Sequence, residues 1–377
     1  MDKRPKKVLV LGGGYGGIKA LETLAGNEAV EVTLVDCNRY HFLQTESYNF
    51  IASNLSLSEI TLSLEKLIRG LDPRFRFVKD EAVGIEGDTL VCREGRYPFD
   101  YLILGTGSVT SVPGLFATER LYGVKLLRNA LRLKHSFEEL LLHHMREEDG
   151  GVSNIVVIGG GSSGVEIAAE MQHYLNGSSL YRGVTVTLVA ELFLAELDGK
   201  SRQKAREVLE KAGVNILEKA VVRVDERALH FEEGSLPYAF GVLATGIAAG
   251  EFARNLPYEK ERGFLKVDEY LRVAERVYAI GDCALLRDRE GKPLPPTAQA
   301  AEQSGVRAAK NILGEIAGKP LQKADLKIYG LAIALGGKFA IAITSYVKLD
   351  GILAHLGKRA IEQFYKIPLR LKSERGE

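Results

Sequence analysis

Short apolar runs, each ended by a cluster of glycines, recur along this chain. The run Val8–Leu11 leads into several glycines and then into the helix-forming stretch Ile18–Leu24. The same order recurs at Asn154–Ile158, and each copy is followed by an apolar strand that ends in Thr-Gly, at Tyr101–Gly107 and at Gly241–Gly246. Apolar runs of this length between glycines are typical of buried strands. The repetition predicts two copies of one strand-and-helix unit.

The remaining pattern predicts how these units are connected. Glycine turns in a polar segment predict a strand-and-turn insert over about residues 75–97, and a helix over about residues 126–148 leads into the second unit. A short buried strand over residues 276–283 precedes a proline-rich loop and a helix over about residues 298–316. The tail from Ile328 is strand-like, then helical and basic. We predict three regions: residues 1–112 together with 266–327, residues 113–265, and residues 328–377.

Composition and charge exclude several classes of function. The 377 residues include 50 Lys and Arg against 49 Asp and Glu, so no bulk charge favours nucleic acid as a partner. Cys37, Cys92 and Cys283 are too scattered for a disulfide framework or a zinc site, and we interpret Cys37 and Cys92 as small apolar fillers. No metal cluster is visible. Without a signal peptide or a long apolar span, the sequence predicts a cytoplasmic protein.

The first glycine cluster has the spacing of a dinucleotide-binding turn. Gly12 permits the tight strand-to-helix turn, Gly14 lets a pyrophosphate approach the backbone, and Gly17 lets helix and strand pack closely. The phosphates then lie at the helix N-terminus, where free N–H groups favour anions. The next strand ends in Asp36, within reach of a ribose hydroxyl. These residues predict a Rossmann-type site.

A second cluster, Gly159-x-Gly161-x-x-Gly164, has equal context. Its partner strand ends at Val189, and the position that matches Asp36 is Ala190. Glu191 follows one residue late. A carboxylate at this strand end favours the free 2′-hydroxyl of NADH over the 2′-phosphate of NADPH. Glu191 therefore favours NADH, and NADPH stays open.

The pair Gly281-Asp282 ends the short buried strand that precedes the proline-rich loop. A carboxylate at such a strand end is placed to accept hydrogen bonds from a sugar-alcohol chain. Asp282 is therefore a third candidate for cofactor binding.

Together these elements resemble the flavoproteins with two dinucleotide-binding domains, over nearly the whole chain. The resemblance implies an α/β fold of two Rossmann-like domains with a small C-terminal region, FAD on the first glycine motif, and NADH or NADPH on the second. The residues implied for cofactor binding are Gly12, Gly14, Gly17, Asp36, Val83, Thr106, Gly107, Asp282, Ala298, Gln299, Gly159, Gly161, Gly164, Glu191 and Gly246.

Finer motifs resemble one branch, the type II NADH dehydrogenases or single-subunit NADH:quinone oxidoreductases. They are the Ala-Gln…Gln helix start at residues 297–303, the flavin-flanking segment at residues 40–60, and the nicotinamide-site motif at residues 163–170. The resemblance implies three catalytic residues: Glu166 beside the reacting rings, and Gln299 and Gln303 on the side of the electron acceptor. It implies a quinone as that acceptor.

The chain departs from that branch beside the flavin. Thr45-Glu46-Ser47 stands where the branch usually carries Pro-Leu-Leu, which introduces a carboxylate. Related disulfide reductases need a Cys-x4-Cys pair, and sulfide:quinone oxidoreductases need cysteines that flank the flavin. This chain has neither. Cys283 follows the Gly-Asp pair instead. Both classes are therefore excluded.

The C-terminal tail combines an apolar stripe with basic charge. Leu349, Ile352, Leu353, Leu356, Ala360, Ile361 and Phe364 fall at helical spacing, and residues 348–372 carry six basic against two acidic side chains. Such a helix suits the interface of an anionic membrane. We expect a weak, salt-sensitive contact with the inner face of the cell membrane, and expect Pro368 to end the helix. Packing of the stripe on the flavin domain or on a second subunit is the alternative.

The leading hypothesis is therefore an FAD-dependent enzyme that passes a hydride from NADH to FAD and then two electrons to a quinone, without pumping protons. A second hypothesis is a soluble NAD(P)H oxidase, a diaphorase or a reductase of a small electron-transfer protein. A third is a redox-dependent binding protein whose nucleotide sites signal rather than turn over.

Overall fold

The computed structural model describes residues 4–376, except residues 115, 117 and 147–152. The helices are α1 (Tyr15–Leu24), α2 (Ser47–Ile51), α3 (Leu57–Ile60), α4 (Leu64–Leu71), α5 (Leu127–Arg146), α6 (Ser162–Asn176), α7 (Gly199–Ala212), α8 (Glu251–Asn255), α9 (Ala298–Ile316) and α10 (Ile352–Arg375). Short 3-10 helices cover Gln44–Glu46, Ser179–Tyr181 and Gly281–Cys283.

The strands are β1 (Lys6–Leu11), β2 (Val30–Asp36), β3 (Tyr40–Phe42), β4 (Thr61–Ser63), β5 (Arg76–Lys79), β6 (Ala82–Glu86), β7 (Thr89–Cys92), β8 (Arg96–Pro98), β9 (Tyr101–Leu104), β10 (Ser108–Thr110), β11 (Leu121–Gly123), β12 (Ser153–Ile158), β13 (Val184–Val189), β14 (Asn215–Leu217), β15 (Arg223–Val224), β16 (Ala228–His230), β17 (Ser235–Pro237), β18 (Phe240–Leu243), β19 (Ile247–Ala249), β20 (Lys260–Glu261), β21 (Phe264–Lys266), β22 (Arg272–Ala274), β23 (Val277–Ala279), β24 (Ala284–Leu285), β25 (Gly330–Ala334), β26 (Ala340–Thr344) and β27 (Lys348–Gly351).

Two sheets built from parallel strands form the centre of the molecule. The first has the order β22-β23-β9-β1-β2-β5, parallel apart from the β22–β23 pair, and the second has the order β11-β18-β12-β13-β14 with parallel pairs throughout. Their strands are continuous apolar runs because helices or further strands cover both faces. Val8 and Val10, for example, are fully buried. The predicted α/β fold with two Rossmann-like units is confirmed.

Helices α1 and α9 cross closely on the first sheet. A Cβ atom added at Gly305 of α9 would overlap the carbonyl oxygen of Gly16 of α1. The absence of side chains at this crossing lets the two helix backbones touch. As a result, the N-terminal half of α9 lies against the helix that carries the first glycine motif.

The insert in the first unit is smaller than its predicted range. Strand β5 joins the first sheet by pairing with β2, so only β6, β7 and β8 form the separate antiparallel sheet. The helix predicted over residues 126–148 is α5, and the end of that prediction lies outside the described residues. The predicted division of the chain at residues 112, 265 and 327 stays a prediction.

The tail forms an antiparallel sheet, β25-β26-β27, followed by the long helix α10. The prediction that Pro368 ends this helix is wrong, because α10 continues to Arg375. Proline removes one backbone hydrogen bond, but contacts with α4 support the last turns: Cβ atoms at Gly70 and Gly376 would overlap backbone carbonyls of the opposite helix. Among the described residues, no helix is long and apolar enough to cross a membrane.

Candidate functional site

The first glycine motif is closely packed at Gly12 and Gly17 and open at Gly14. Gly12 has a φ of +103°, and a Cβ atom there would overlap the carbonyl oxygen of Gly105. A Cβ atom at Gly17 would overlap the carbonyl oxygen of Gly12, so this glycine is required for the turn to pack against its helix. At Gly14, in contrast, nothing lies within 4 Å of an added Cβ atom. The open space at the N-terminus of α1 is therefore where a ligand can approach the backbone.

Asp36 lies at the end of β2 and faces this turn. Its carboxylate accepts hydrogen bonds from the backbone N–H groups of Gly13 and Asn38, each at 2.6 Å. Burial raises the pKa of Asp36, and these hydrogen bonds partly offset the effect. The carboxylate is thus held beside the glycine turn, and its contact with a ribose stays a prediction.

Four further predicted residues lie on other segments of the chain. The hydroxyl of Thr106 is buried and has no hydrogen-bond partner among the described residues. Gly107, with a φ of +67°, and Gly246, with a φ of +129°, both have open space where a side chain would lie. Val83 on β6 is 55% exposed. Gly107 and Gly246 therefore leave room for a ligand beside their backbone.

Asp282 lies in the 3-10 turn that follows β23. Its Oδ2 atom accepts hydrogen bonds from Ser108 Oγ and Lys125 Nζ, both at 2.8 Å. The strand prediction for its surroundings was correct only up to Ala279, because Gly281–Cys283 forms a 3-10 turn. Asp282 is therefore fixed in orientation by partners from two other segments.

The start of α9 holds the C-terminal segment by two glutamine side chains. Thr297 caps the helix by accepting a hydrogen bond from the N–H of Ala300. Gln299 donates to the carbonyl of Gly330 at 2.8 Å and accepts from the N–H of Tyr329 at 2.9 Å. Gln303 bonds Lys327 in the same way, at 2.7 and 3.0 Å. These amides bind the backbone of residues 327–330, which leads into β25, next to Ala298 at the start of α9.

The second glycine motif repeats the geometry of the first. Gly159 has a φ of +125° and contacts the backbone at Ala244, a Cβ atom at Gly164 would overlap Gly159, and Gly161 has open space. Glu191, the predicted ribose ligand, is exposed. Its predicted contact with the ribose stays a prediction. A second carboxylate reaches this motif: Glu196 accepts a hydrogen bond from the N–H of Ser162 at 3.0 Å. Sequence reasoning missed Glu196, because nothing in the spacing of the loop shows how it folds back.

Glu166 is buried on α6, facing the tail. Its Oε1 atom accepts a hydrogen bond from the N–H of Ala334 at 3.0 Å and pairs with Lys358 Nζ at 2.9 Å. Lys358 also pairs with Glu362 at 3.2 Å, and Tyr48 donates to the same oxygen of Glu362 at 3.0 Å. Burial raises the pKa of Glu166, while Lys358 opposes that effect.

Glu46 is the carboxylate by which the flavin-flanking segment, residues 40–60, departs from the branch that it resembles. It is 2% exposed and accepts two hydrogen bonds from Lys366 of α10, at 2.9 and 2.8 Å. Next to it, Thr45 contacts the hydroxyl of Tyr15, at the start of α1. The pair with Lys366 leaves this position polar but without net charge.

His41 connects α10 to the first glycine motif. Its Nδ1 atom bonds the carbonyl of Gly13 at 2.8 Å, and its Nε2 atom bonds the hydroxyl of Tyr365 at 3.1 Å. Burial lowers the pKa of His41 to about 4, so the ring is neutral near pH 7. This geometry supports a structural, hydrogen-bonding role for the histidine.

Sequence reasoning missed four residues that α10 supplies: Lys358, Glu362, Tyr365 and Lys366. The first, second and fourth are spaced by four residues, which places them on one face of a helix. That spacing was a usable signal. The interpretation of Cys92 as a buried filler is confirmed, but that of Cys37 is wrong, because Cys37 is exposed.

Two open glycine turns, one of them with an acidic residue at the end of the following strand, fit two dinucleotides better than one. These features define an oxidoreductase of the class with two dinucleotide-binding domains. The chain belongs to the pyridine nucleotide-disulphide oxidoreductase family, whose profile matches residues 6–305. FAD fits the first site, where Gly14 leaves room for a pyrophosphate. A pyridine nucleotide fits the second site, where Gly161 leaves the same room.

Individual relatives agree with this assignment of family. The type II NADH:quinone oxidoreductase of Staphylococcus aureus (strain NCTC 8325 / PS 47) is 26% identical over 388 residues, which cover 96% of this chain and 95% of the relative. The solved structure of NDH2 from Plasmodium falciparum in complex with NADH superposes with a TM-score of 0.87 at 19% identity, covering 99% and 97% of the chains. The sulfide:quinone oxidoreductase of Aquifex aeolicus superposes with a TM-score of 0.82 at 18% identity, covering 97% and 92%. The two superpositions show a shared fold.

Proposed function

We propose that this protein is an NADH:quinone oxidoreductase of the type II class, which passes electrons from NADH through FAD to a quinone. The observation that carries the proposal is the position of Glu166. It lies on the helix of the nicotinamide-nucleotide motif and is joined through Lys358 and Glu362 to Tyr48, in the flavin-flanking segment. The name of the Staphylococcus relative, which matches over almost the whole chain, supports the same function.

The residues divide between two binding tasks. Gly12, Gly14 and Gly17 receive the FAD pyrophosphate, Asp36 binds the ribose beside it, and Asp282 holds the sugar-alcohol chain. Val83, Thr106, Gly107, Ala298 and Gln299 line the rest of the FAD site, while Gly159, Gly161, Gly164, Glu191 and Gly246 hold NADH. When bound, FAD accepts a hydride from a reduced nicotinamide and passes the electrons on to an acceptor.

Glu166 orients the nicotinamide and exchanges a proton with the acceptor side. Burial raises the pKa of Glu166 and so favours the protonated form, while the ion pair with Lys358 favours the ionised form. Gln299 and Gln303 act on the acceptor side by holding residues 327–330 in place. They are therefore positioning residues, and we expect their replacement to slow quinone turnover more than the reaction with NADH.

The acceptor is a lipid-soluble quinone rather than a disulfide. Cys92 and Cys283 are buried, Cys37 lies exposed after β2, and all three are free, so the chain forms no disulfide that could accept electrons. The outward face of α10 instead exposes apolar side chains, including Leu353, Leu356 and Phe364. A contiguous apolar surface of this kind is typical of a membrane or protein contact.

We further propose that this face of α10 lies on the inner surface of the cell membrane, where a quinone is met. The positive charge of the tail contributes less to this membrane attachment than the sequence indicated. Lys358 and Lys366 are buried in ion pairs, and Lys348 and Lys372 pair with Asp198 and Glu22. Attachment should therefore depend mainly on apolar burial. A second copy of this chain is the other partner that would cover the same face.

The test is steady-state oxidation of NADH and NADPH by the purified protein with a panel of quinones and with oxygen. We expect non-covalently bound FAD, rapid bleaching of its absorbance by NADH, and higher kcat/KM with quinones in lipid than with oxygen. Bleaching by NADH with oxygen as the better acceptor would contradict the quinone half of the proposal and favour a soluble NADH oxidase. No bleaching by either nucleotide would contradict both halves.

A further inference from the structure

The N-terminus of α6 is already occupied by a carboxylate of the protein itself. Ser162 is the first residue of this helix, and its N–H donates to Glu196 Oε1 at 3.0 Å. The N-terminal amides of the helix in a Rossmann unit are the groups that bind a pyrophosphate, and the helix dipole favours any anion there. Glu196 and a bound dinucleotide would therefore compete for the same donors.

The loop that carries Glu196 is held firmly in this position. The N–H of Leu194 donates to the carbonyl of Gly160 at 2.7 Å, inside the glycine motif. Arg202 of α7 donates to the carbonyls of Leu194 and Leu197, at 3.2 and 2.9 Å. Leu194 itself is fully buried with a φ of +42°, a conformation that a leucine keeps only when its surroundings fix it.

We propose that Glu196 is an affinity-setting residue of the nicotinamide-nucleotide site: its carboxylate occupies the anion position on α6 and must move away before NADH binds. This inference rests on the NADH half of the proposed function. Because a carboxylate repels a pyrophosphate at the same helix N-terminus and takes up the N–H of Ser162, the wild-type protein binds NADH less tightly than its glycine cradle alone would allow. Glu196 is exposed, so its side chain can swing into solvent without unfolding the loop.

The experiment measures the Kd of the FAD-loaded protein for ADP-ribose, which carries the pyrophosphate but cannot react. In Glu196→Gln the amide still accepts the hydrogen bond from Ser162, but the negative charge is removed. We expect the Kd to fall about fivefold, the order expected for removing one like charge near a partly exposed anion. Since exposed charges are screened by salt, the difference should shrink between about 50 mM and about 500 mM NaCl.

Glu233→Gln is the matched control, since it removes the same charge from an exposed position of the same predicted region, residues 113–265, away from the glycine motif. We expect this variant not to tighten the binding of ADP-ribose. An unchanged or weaker affinity of Glu196→Gln, or an equal gain in Glu233→Gln, would overturn the proposal for Glu196. A wild-type protein that does not bind ADP-ribose at all would instead contradict the NADH half of the proposed function.

Discussion

At the scale of single residues, two glycines of the same motif have different tasks. Gly14 has open space where a side chain would lie, so Gly14→Val should fold but lose FAD, because the new side chain fills the place of the pyrophosphate. Gly17→Ala should lose stability itself, because its Cβ atom overlaps the carbonyl of Gly12. FAD content and the unfolding midpoint of each variant separate the two effects. Equal loss of stability in both would show that Gly14 is a packing residue.

The buried pair of Glu46 and Lys366 provides a second test. Removing one partner leaves an uncompensated charge in the interior, so Glu46→Gln or Lys366→Met should lower the free energy of unfolding by about 3 kcal/mol. The double variant Glu46→Leu/Lys366→Met should regain most of this loss. Leucine is the residue that the resembling branch usually carries at this position.

Urea unfolding of the two single variants and the double variant measures the coupling. Additive losses in the double variant would mean that the pair does not act as a unit. The activity of the double variant with different quinones then shows whether the polarity of this pair affects the choice of acceptor, separately from its effect on the stability of the protein.

At the scale of elements, α10 buries its charged face and exposes its apolar face, which is the reverse of an ordinary surface helix. Lys358, Glu362 and Lys366 are buried, whereas Phe364 is 81% exposed and lies on the outer face with Ile367 and Leu371. Buried charges are stable here because each has a partner of opposite charge. The apolar stripe is therefore available to a membrane.

The triple variant Phe364→Ser/Ile367→Ser/Leu371→Ser should fold normally but no longer sediment with liposomes, because apolar burial supplies the attachment. Wild-type sedimentation should persist at high salt, since the basic residues are largely paired. Wild-type protein that stays in the supernatant would contradict the membrane contact. If it also elutes as a dimer that the triple variant dissociates, a second copy covers this face.

At the scale of the whole molecule, α10 connects both nucleotide-binding units. It reaches Glu166 of the second unit through Lys358, and the first glycine motif through Tyr365 and His41. One helix, α10, therefore links the first glycine motif to the second unit.

Deletion of residues 352–377 should consequently lower both the unfolding midpoint and the FAD content. The triple serine variant is the control, because it changes the same helix only on its outer face. A deleted protein with wild-type stability and full FAD content would show that α10 is an appendage, and that its ion pairs add nothing measurable.

The sequence by itself determined the two nucleotide-binding units. A buried parallel strand must be apolar and a Rossmann turn must have glycine at fixed positions, so both requirements are local and appear in the spacing of Gly12, Gly14 and Gly17. The end of β2 at Asp36 and the helix α9 followed from the same local rules. The stripe on α10 was also visible, because helical periodicity depends only on neighbours in the chain.

Tertiary structure decided which face of α10 points inward and which carboxylate reaches the second motif. The apolar stripe faces outward because Glu46, Glu166 and Tyr48, far away in the sequence, supply partners for the charged face. Glu196 lies at the second glycine motif because the loop folds back on Gly160. Both outcomes depend on pairing between distant segments, and the energy of a buried charge is set by its partner in space rather than by its neighbours along the chain.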